Sequence, residues 1–132
     1  MKSLTREWIK KAEEDFVAAE RLARLCKTPV LNVVCFHCQQ CIEKYLKACL
    51  QEKERDIPRT HNLSLLLELL LPEEPLWEAL RASLNLLNGF AVEFRYPGES
   101  ATLKDAKNAL ALCQNLRVTI RESLILKRSG KK

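Results

Sequence analysis

Glycine and aromatic residues are scarce in this chain, and no apolar stretch is long. Of its 132 residues, 3 are glycines and 6% are aromatic. Few glycines exclude a collagen-like chain, and the abundance of leucine, alanine, glutamate, lysine and arginine argues against a β-sandwich or a disordered chain. Every apolar run falls short of the roughly 20 residues that a membrane-spanning helix needs. The composition therefore predicts a single helical domain that has no membrane partner.

A strong net charge is also missing once the end of the chain is set aside. The formal net charge is +5, but four positive side chains lie within the last six residues, as Lys127, Arg128, Lys131 and Lys132. The rest of the chain is therefore not a strongly basic module that binds nucleic acid or an anionic surface through charge alone. The first residues lack the apolar segment of a secretory signal, so we expect a cytoplasmic protein.

Cysteine is the residue type that first suggests a special site, since the chain has six. Cys35, Cys38 and Cys41 have the C-x2-C-x2-C spacing that begins a bacterial ferredoxin motif, but Tyr45 stands where the fourth cysteine is required. A zinc site is also disfavoured, because three thiols spread around a helix face cannot all reach one ion. We therefore expect free thiols that fill a close helix contact, with no metal and no other cofactor.

Apolar residues at spacings of three and four predict an all-α chain, and prolines mark its connections. The predicted helices cover approximately residues 4–25, 29–53, 61–71, 75–91 and 102–127. We expect one domain over residues 1–127, folded as an up-and-down bundle of four to five helices. Residues 128–132 are expected to form a disordered basic tail.

The second predicted helix carries a row of polar side chains on one edge of its apolar face: His37, Gln40, Lys44 and Lys47. Such cation and amide donors can hold a phosphate or a base. Arg95 and Tyr96, which lie in a turn, can add a guanidinium group and a stacking ring. The alternative is a solvated helix edge, the usual role of a row of charges, together with an arginine that caps a neighbouring helix.

Proton transfer would have to use His37 or His61, the two histidines of the chain. Arg55 precedes His61 with five residues between them, a spacing that ribonucleases of one helical family use for an arginine and histidine pair. The alternative is that His61 caps a helix or lies on the surface of a polar loop. The spacing alone leaves both interpretations open.

Four segments resemble the HEPN domain family in order and approximate spacing: residues 8–20, 35–48, 60–63 and 94–97. The stretch Gln-Gln-x-x-Glu-Lys-x-x-Lys-Ala, residues 39–48, is the most specific of them. Thr-His-x-Leu at 60–63 and Arg-Tyr-Pro at 95–97 support it. The resemblance extends over residues 4–126 and implies an α-helical up-and-down bundle that usually dimerises.

The resemblance also implies a function. Bacterial and archaeal members are often encoded beside a minimal nucleotidyltransferase as a toxin–antitoxin-like pair, and members are proposed to bind nucleotides or to cleave RNA. Catalytic members carry an arginine, then four to six residues, then a histidine near the start of the last long helix. Arg95 would be that arginine, but Ser100, Ala101 and Thr102 stand where the histidine should be. The nuclease motif is therefore absent at this place.

We therefore predict a non-catalytic protein that forms a homodimer, pairs with a minimal nucleotidyltransferase and binds a nucleotide or RNA. The predicted binding residues are His37, Gln40, Lys44, Lys47, His61, Arg95 and Tyr96. The alternative is a metal-independent ribonuclease toxin that acts on RNA as a dimer, with Arg55 and His61 as its catalytic pair.

Overall fold

The computed structural model describes residues 1–94 and 96–129, with side chains as far as residue 125 in the last helix. Over these residues the chain forms five α-helices and one short 3-10 helix. Their order is α1 Ser3–Ala23, α2 Thr28–Glu52, α3 Leu63–Leu70, the 3-10 helix Pro75–Leu80, α4 Arg81–Glu93 and α5 Leu103–Ser129. The predicted all-α fold is confirmed, and none of the described helices is both long and apolar enough to cross a membrane.

Local sequence determines several of the helix starts. Pro29 lies in the first turn of α2, where its missing N–H removes no helical hydrogen bond. The side chain of Asn62 accepts two backbone N–H groups of α3 and caps that helix. Thr102 and Asp105 form a reciprocal capping box at α5, in which each side chain accepts the other's backbone N–H at 3.1 and 2.9 Å.

The fourth predicted helix is divided into two parts. Pro75–Leu80 is a 3-10 helix, and α4 begins only at Arg81. Pro75 has no N–H to donate, and the backbone N–H of Trp77 reaches the carbonyl of Glu74, three residues back, at 2.9 Å. This tighter turn brings the Trp77 indole into the core.

The four longer helices α1, α2, α4 and α5 alternate in direction. Thr5, near the start of α1, donates to Glu52 at the end of α2 at 2.9 Å, so these two helices are antiparallel. The start of α5 lies beside the start of α2, because the Ala101 N–H donates to Asn32 at 2.7 Å. α4 runs in the direction opposite to α2 and α5. The Glu68–Arg81 ion pair places the start of α4 beside the end of α3.

α3 belongs to the connection between α2 and α4. After α2 the chain runs back along this helix, where Gln39 Nε2 donates to the carbonyl of His61 at 2.7 Å. α3 then returns to the level of the end of α2, where Arg55 Nη1 donates to the carbonyl of Leu69 at 3.0 Å. This path places His61 beside the middle of α2.

α2 is the central helix, since it contacts each of the other four α-helices. Its cysteines are part of the reason that these contacts are close. Five cysteines are buried, and only Cys26 is exposed. Burial raises the pKa of Cys35 to about 11 and that of Cys49 to about 12, so both thiols act as small protonated apolar groups at neutral pH. The expectation of free thiols that fill helix contacts is confirmed.

A cluster of polar side chains joins the three long helices. Glu13 of α1 accepts two hydrogen bonds from the Arg117 guanidinium of α5, at 2.6 and 2.7 Å, and a third from the Tyr45 hydroxyl of α2. Arg121 donates to the same hydroxyl at 2.8 Å. The hydrogen bonds from Arg117 hold the pKa of the Glu13 carboxyl below its usual range.

This cluster predicts a specific effect of acid on stability. The native pKa of Glu13 is lower than its unfolded value of 4.5, so the ion pair stabilises the fold above that value and ceases to do so as the pH falls through the native pKa. Urea denaturation at neutral and acidic pH should therefore show that wild type loses more free energy of unfolding than Glu13→Gln does. The exposed neighbour Glu14 provides the control, because Glu14→Gln should follow wild type. Equal losses in wild type and Glu13→Gln would contradict this role.

Candidate functional site

Two buried carboxylates organise the polar edge of α2. They are Asp15 of α1, which is 7% exposed, and Glu43 of α2 itself, which is 3% exposed. Neither was among the predicted site residues. Together they accept hydrogen bonds or ion pairs from five of the predicted ones: His37, Gln40, Lys44, Lys47 and His61.

Asp15 holds the first part of the row. Its Oδ1 lies 2.7 Å from His37 Nδ1, and its Oδ2 accepts a hydrogen bond from Lys44 Nζ at 2.5 Å. The side chains of His37 and Lys44 remain 26% and 24% exposed. Each therefore has one polar atom fixed by the carboxylate while part of the side chain is open to solvent.

Glu43 holds the second part of the row. Its Oε1 lies 3.0 Å from His61 Nδ1 and accepts the side-chain amides of Gln39 and Gln40, each at 3.3 Å. Its Oε2 accepts Lys47 Nζ at 3.0 Å. The side chain of Glu43 is only 4% exposed, and hydrogen bonds formed away from water are stronger than those at the surface. One carboxylate thus orders four polar neighbours.

His61 is the exposed member of this cluster, with 69% of its side chain open to solvent. Because the bond to Glu43 uses Nδ1, Nε2 is the ring nitrogen that this carboxylate leaves available. A carboxylate that orients an imidazole in this way is also found where histidine moves a proton.

Lys47 is more buried than Lys44, the other lysine of the row. Its side chain is 9% exposed, and its Nζ lies over the ring of Trp8, 5.8 Å from the centroid. With Glu43 as its counter-ion, Lys47 positions the carboxylate and the indole and does not present its charge to solvent.

The turn residues predicted to join the row come from a different part of the chain. Arg95 lies outside the described residues. Tyr96 is in the connection between α4 and α5, where it is 65% exposed. This connection leads to Ala101, which is bonded to Asn32 near the start of α2.

Arg55 and His61, the alternative catalytic pair, have separate partners. The Arg55 guanidinium donates to the carbonyl of Leu69 in the last turn of α3 and forms an ion pair with Glu73. His61 is bonded to Glu43. Arg55 therefore acts as a cap for the end of α3.

Sequence reasoning missed Asp15, although a signal for it exists. Asp15 lies three residues after Ala12 and four before Ala19, both fully buried, so a charged residue stands on the buried face of α1. Projection of the α2 sequence onto a helix at 100° per residue predicts that Gln39 and Glu43 lie off the apolar sector, and that prediction is wrong. The connection that carries His61 covers this side of the helix, so Gln39 and Glu43 are 1% and 3% exposed.

The site presents hydrogen-bond donors without a large excess of charge. Its two carboxylates are matched by two lysines, and the histidines and Gln40 add directional polar groups. Within the part of the chain that the structure describes, no three His, Cys, Asp or Glu side chains are arranged to hold a metal ion. The arrangement suits an anionic or amide-bearing ligand held by directed hydrogen bonds.

Comparison with protein families matches residues 5–123 to the HEPN domain. The chain belongs to the HEPN domain family. The family resemblance is thus confirmed, and the match includes α1 from residue 5 onward, α2 and the connection that carries His61. The comparison with curated proteins found no significant match.

The HEPN fold of the chain is similar to two solved structures. TT1696 from Thermus thermophilus has a TM-score of 0.76 at 21% identity, with 89% of this chain and 96% of that chain covered. ST0689, an archaeal HEPN homologue, has a TM-score of 0.72 at 24% identity, with 93% of this chain and 98% of that chain covered. At these identities the likeness shows the shared fold.

The geometry of this HEPN domain predicts a large effect of Glu43→Leu on stability. The substitution leaves Lys47 buried without its counter-ion, which costs about 3–5 kcal/mol for a buried pair. Adding Lys47→Met removes the unpaired charge and should recover a large part of the loss. Urea denaturation measures both, and Glu14→Leu, at an exposed position of α1, should change the free energy of unfolding by less than about 0.5 kcal/mol. A loss below about 1 kcal/mol for Glu43→Leu would contradict the role of Glu43.

Proposed function

We propose that this HEPN domain binds a nucleotide or RNA without cleaving it, along the α1–α2 edge. This edge consists of Asp15 of α1, the polar side chains of α2 from His37 to Lys47, and His61. We further propose that it works as a homodimer paired with a minimal nucleotidyltransferase in a toxin–antitoxin-like module. One observation carries the binding proposal: His37, Lys44 and His61 are each held by a buried carboxylate and are each partly open to solvent.

The exposed donors match the polar groups of a nucleotide. Lys44 has three N–H donors, of which Asp15 takes one, so the others can bind a phosphate oxygen. His37 and His61 each offer a second ring nitrogen. Since the carboxylates already order these side chains, a ligand does not have to order them, and this lowers the entropic cost of binding.

Two features support binding without cleavage. Arg55 is bound to the end of α3, away from the Glu43–His61 pair. In the segment where catalytic relatives carry their histidine, Ala101 is buried and Thr102 caps α5. Neither segment therefore assembles an arginine and histidine pair from the described residues.

One observation favours a second candidate function, a metal-independent ribonuclease that acts as a dimer. The imidazole of His61 is exposed and its Nδ1 is fixed by the Glu43 carboxylate, which leaves Nε2 to accept or donate a proton. In this mechanism a second subunit would have to supply the cation that stabilises the transition state, because Arg55 is already bound elsewhere.

The assembly part of the proposal is supported by the family, since HEPN domains often dimerise. Apolar side chains also remain exposed on the outer helices. On α4 these are Leu86 and Val92, and on α5 Val118 and Ile125, each about half exposed or more. Such side chains are available to a second copy or to a nucleotidyltransferase partner.

The binding and cleavage proposals can be tested with one labelled single-stranded RNA. A native gel measures binding, and a denaturing gel measures cleavage of the same sample. We expect wild type to retard the RNA and leave it intact. Lys44→Ala should weaken binding about ten-fold, the value of one charge-assisted hydrogen bond. Lys10→Ala removes the same charge from an exposed position on α1 and should bind as wild type does.

Three other results of these gels would contradict part of the proposal. RNA cleavage that disappears in His61→Ala would replace the non-catalytic proposal with the ribonuclease. Equal retardation by wild type and Lys44→Ala would contradict the α1–α2 edge as the binding site. If wild type leaves the RNA unretarded and intact, the proposal of RNA binding is wrong.

A further inference from the structure

A cavity of about 300 Å³ opens near the start of α1. Four residues from one face of α1 and one residue of α2 line it: Leu4, Glu7, Trp8, Lys11 and Gln51. Its volume is at the lower end of the range for small-molecule sites. A single planar ring system fits such a space, whereas a segment of a folded partner does not.

The cavity continues the polar edge of α2. The members of the row follow one another at spacings of three and four residues, and Gln51 is the next position in this series after Lys47. Lys47 connects the two regions, because its Nζ binds Glu43 and also lies over the Trp8 ring. At about 1.5 Å per residue, Gln51 lies about 10 Å along the helix from Lys44. One ligand can therefore reach both.

The lining has the chemistry that a nucleobase requires. The half-buried Trp8 offers a flat aromatic surface for stacking, and Leu4, 57% exposed, offers an apolar wall. The Gln51 amide has both a donor and an acceptor for the edge of a base, and the Glu7 carboxylate accepts from an exocyclic amino group.

We infer that this cavity holds a nucleobase stacked on Trp8, with the phosphate of the bound or adjoining nucleotide at Lys44. The inference rests on the proposed function and identifies the element that recognises the base. A phosphate alone fits the cavity poorly, because the Glu7 carboxylate opposes the one cation of the lining. The base can belong to a free nucleotide or to single-stranded RNA, since both offer the same ring.

The fluorescence of Trp8 reports on this contact directly. The chain has two tryptophans, so Trp77→Phe leaves Trp8 as the only one. This protein is titrated with adenosine monophosphate and, separately, with a short single-stranded RNA. We expect saturable quenching of the Trp8 emission as the base stacks on the indole. Quenching by both ligands identifies a site for free nucleotides, and quenching by RNA alone identifies an RNA site.

Binding by variants separates stacking from a structural role of Trp8. Trp8→Leu should raise the Kd for the RNA about ten-fold or more, and Trp8→Phe, which keeps a ring, should restore most of the affinity. Gln51→Leu removes the polar contact with the base and should raise the Kd without loss of the ring. It also keeps the inference testable if Trp8→Leu fails to fold by circular dichroism.

A second cavity provides a matched control. It has a similar volume, about 290 Å³, and lies between α4 and α5, where Phe90 is its aromatic residue. Phe90→Leu therefore removes an aromatic side chain from a space of the same size on another face of the bundle. This variant should bind RNA as wild type does.

Three results would contradict the assignment of a nucleobase to this cavity, and each has a different consequence for the proposed function. If Trp8→Leu binds as tightly as wild type, the cavity is not the base site, and the proposed binding at Lys44 still stands. If Trp8→Leu binds weakly but Trp8 emission is not quenched by the RNA, Trp8 only supports the fold, and the inference is wrong. If wild type binds neither ligand, both the inference and the proposed function are wrong.

Discussion

The buried carboxylate of Glu43 is the constraint on which the candidate site depends. A charge removed from water is tolerated only when hydrogen bonds and a counter-ion replace its hydration. Lys47 supplies the counter-ion, and Gln39, Gln40 and His61 contribute the remaining contacts. Because these partners come both from α2 and from the connection that follows it, the Glu43 carboxylate and the Gln39 amide together hold that connection against α2. The exposure of His61 is a consequence of the position of that connection.

Asp15 orders polar side chains at the contact between α1 and α2, as Glu43 orders those at the connection between α2 and α3. It brings a carboxylate from α1 to His37 and Lys44 of α2, so the polar edge lies along the contact between two antiparallel helices. The paired charges leave the edge close to neutral, and this agrees with a net positive charge that lies mainly near the end of the chain. A site of this kind selects its ligand by the direction of hydrogen bonds and by stacking more than by long-range attraction.

The sequence predicts the helices well, because the spacing of apolar residues is a local property of each helix. The Thr102–Asp105 capping box and the buried cysteines of α2 follow from local patterns too. The start of α4 was not predicted, since a 3-10 turn after Pro75 leaves the apolar spacing almost unchanged. Helical projection of α2 alone was enough to find His37, Gln40 and Lys44 as one row.

The partners of that row could not be predicted in the same way. Which edge of α2 meets α1, and which is covered by the connection to α3, depends on packing between segments distant in sequence. The projection of α2 alone therefore put Glu43 off the apolar sector and Lys47 among the cations that could hold a ligand, and Asp15 was not singled out. The buried neighbours of Asp15, Ala12 and Ala19, carry the one local hint of its position.

The most direct measurement is a map of amide chemical shifts in the nitrogen-15-labelled protein as a short single-stranded RNA is added. A ligand held along the α1–α2 edge should produce its largest shifts in residues 4–15 and 37–51 and at His61, with the indole N–H of Trp8 among them. Shifts concentrated on α4 and α5 would contradict this location of the site, as would a spectrum that does not change.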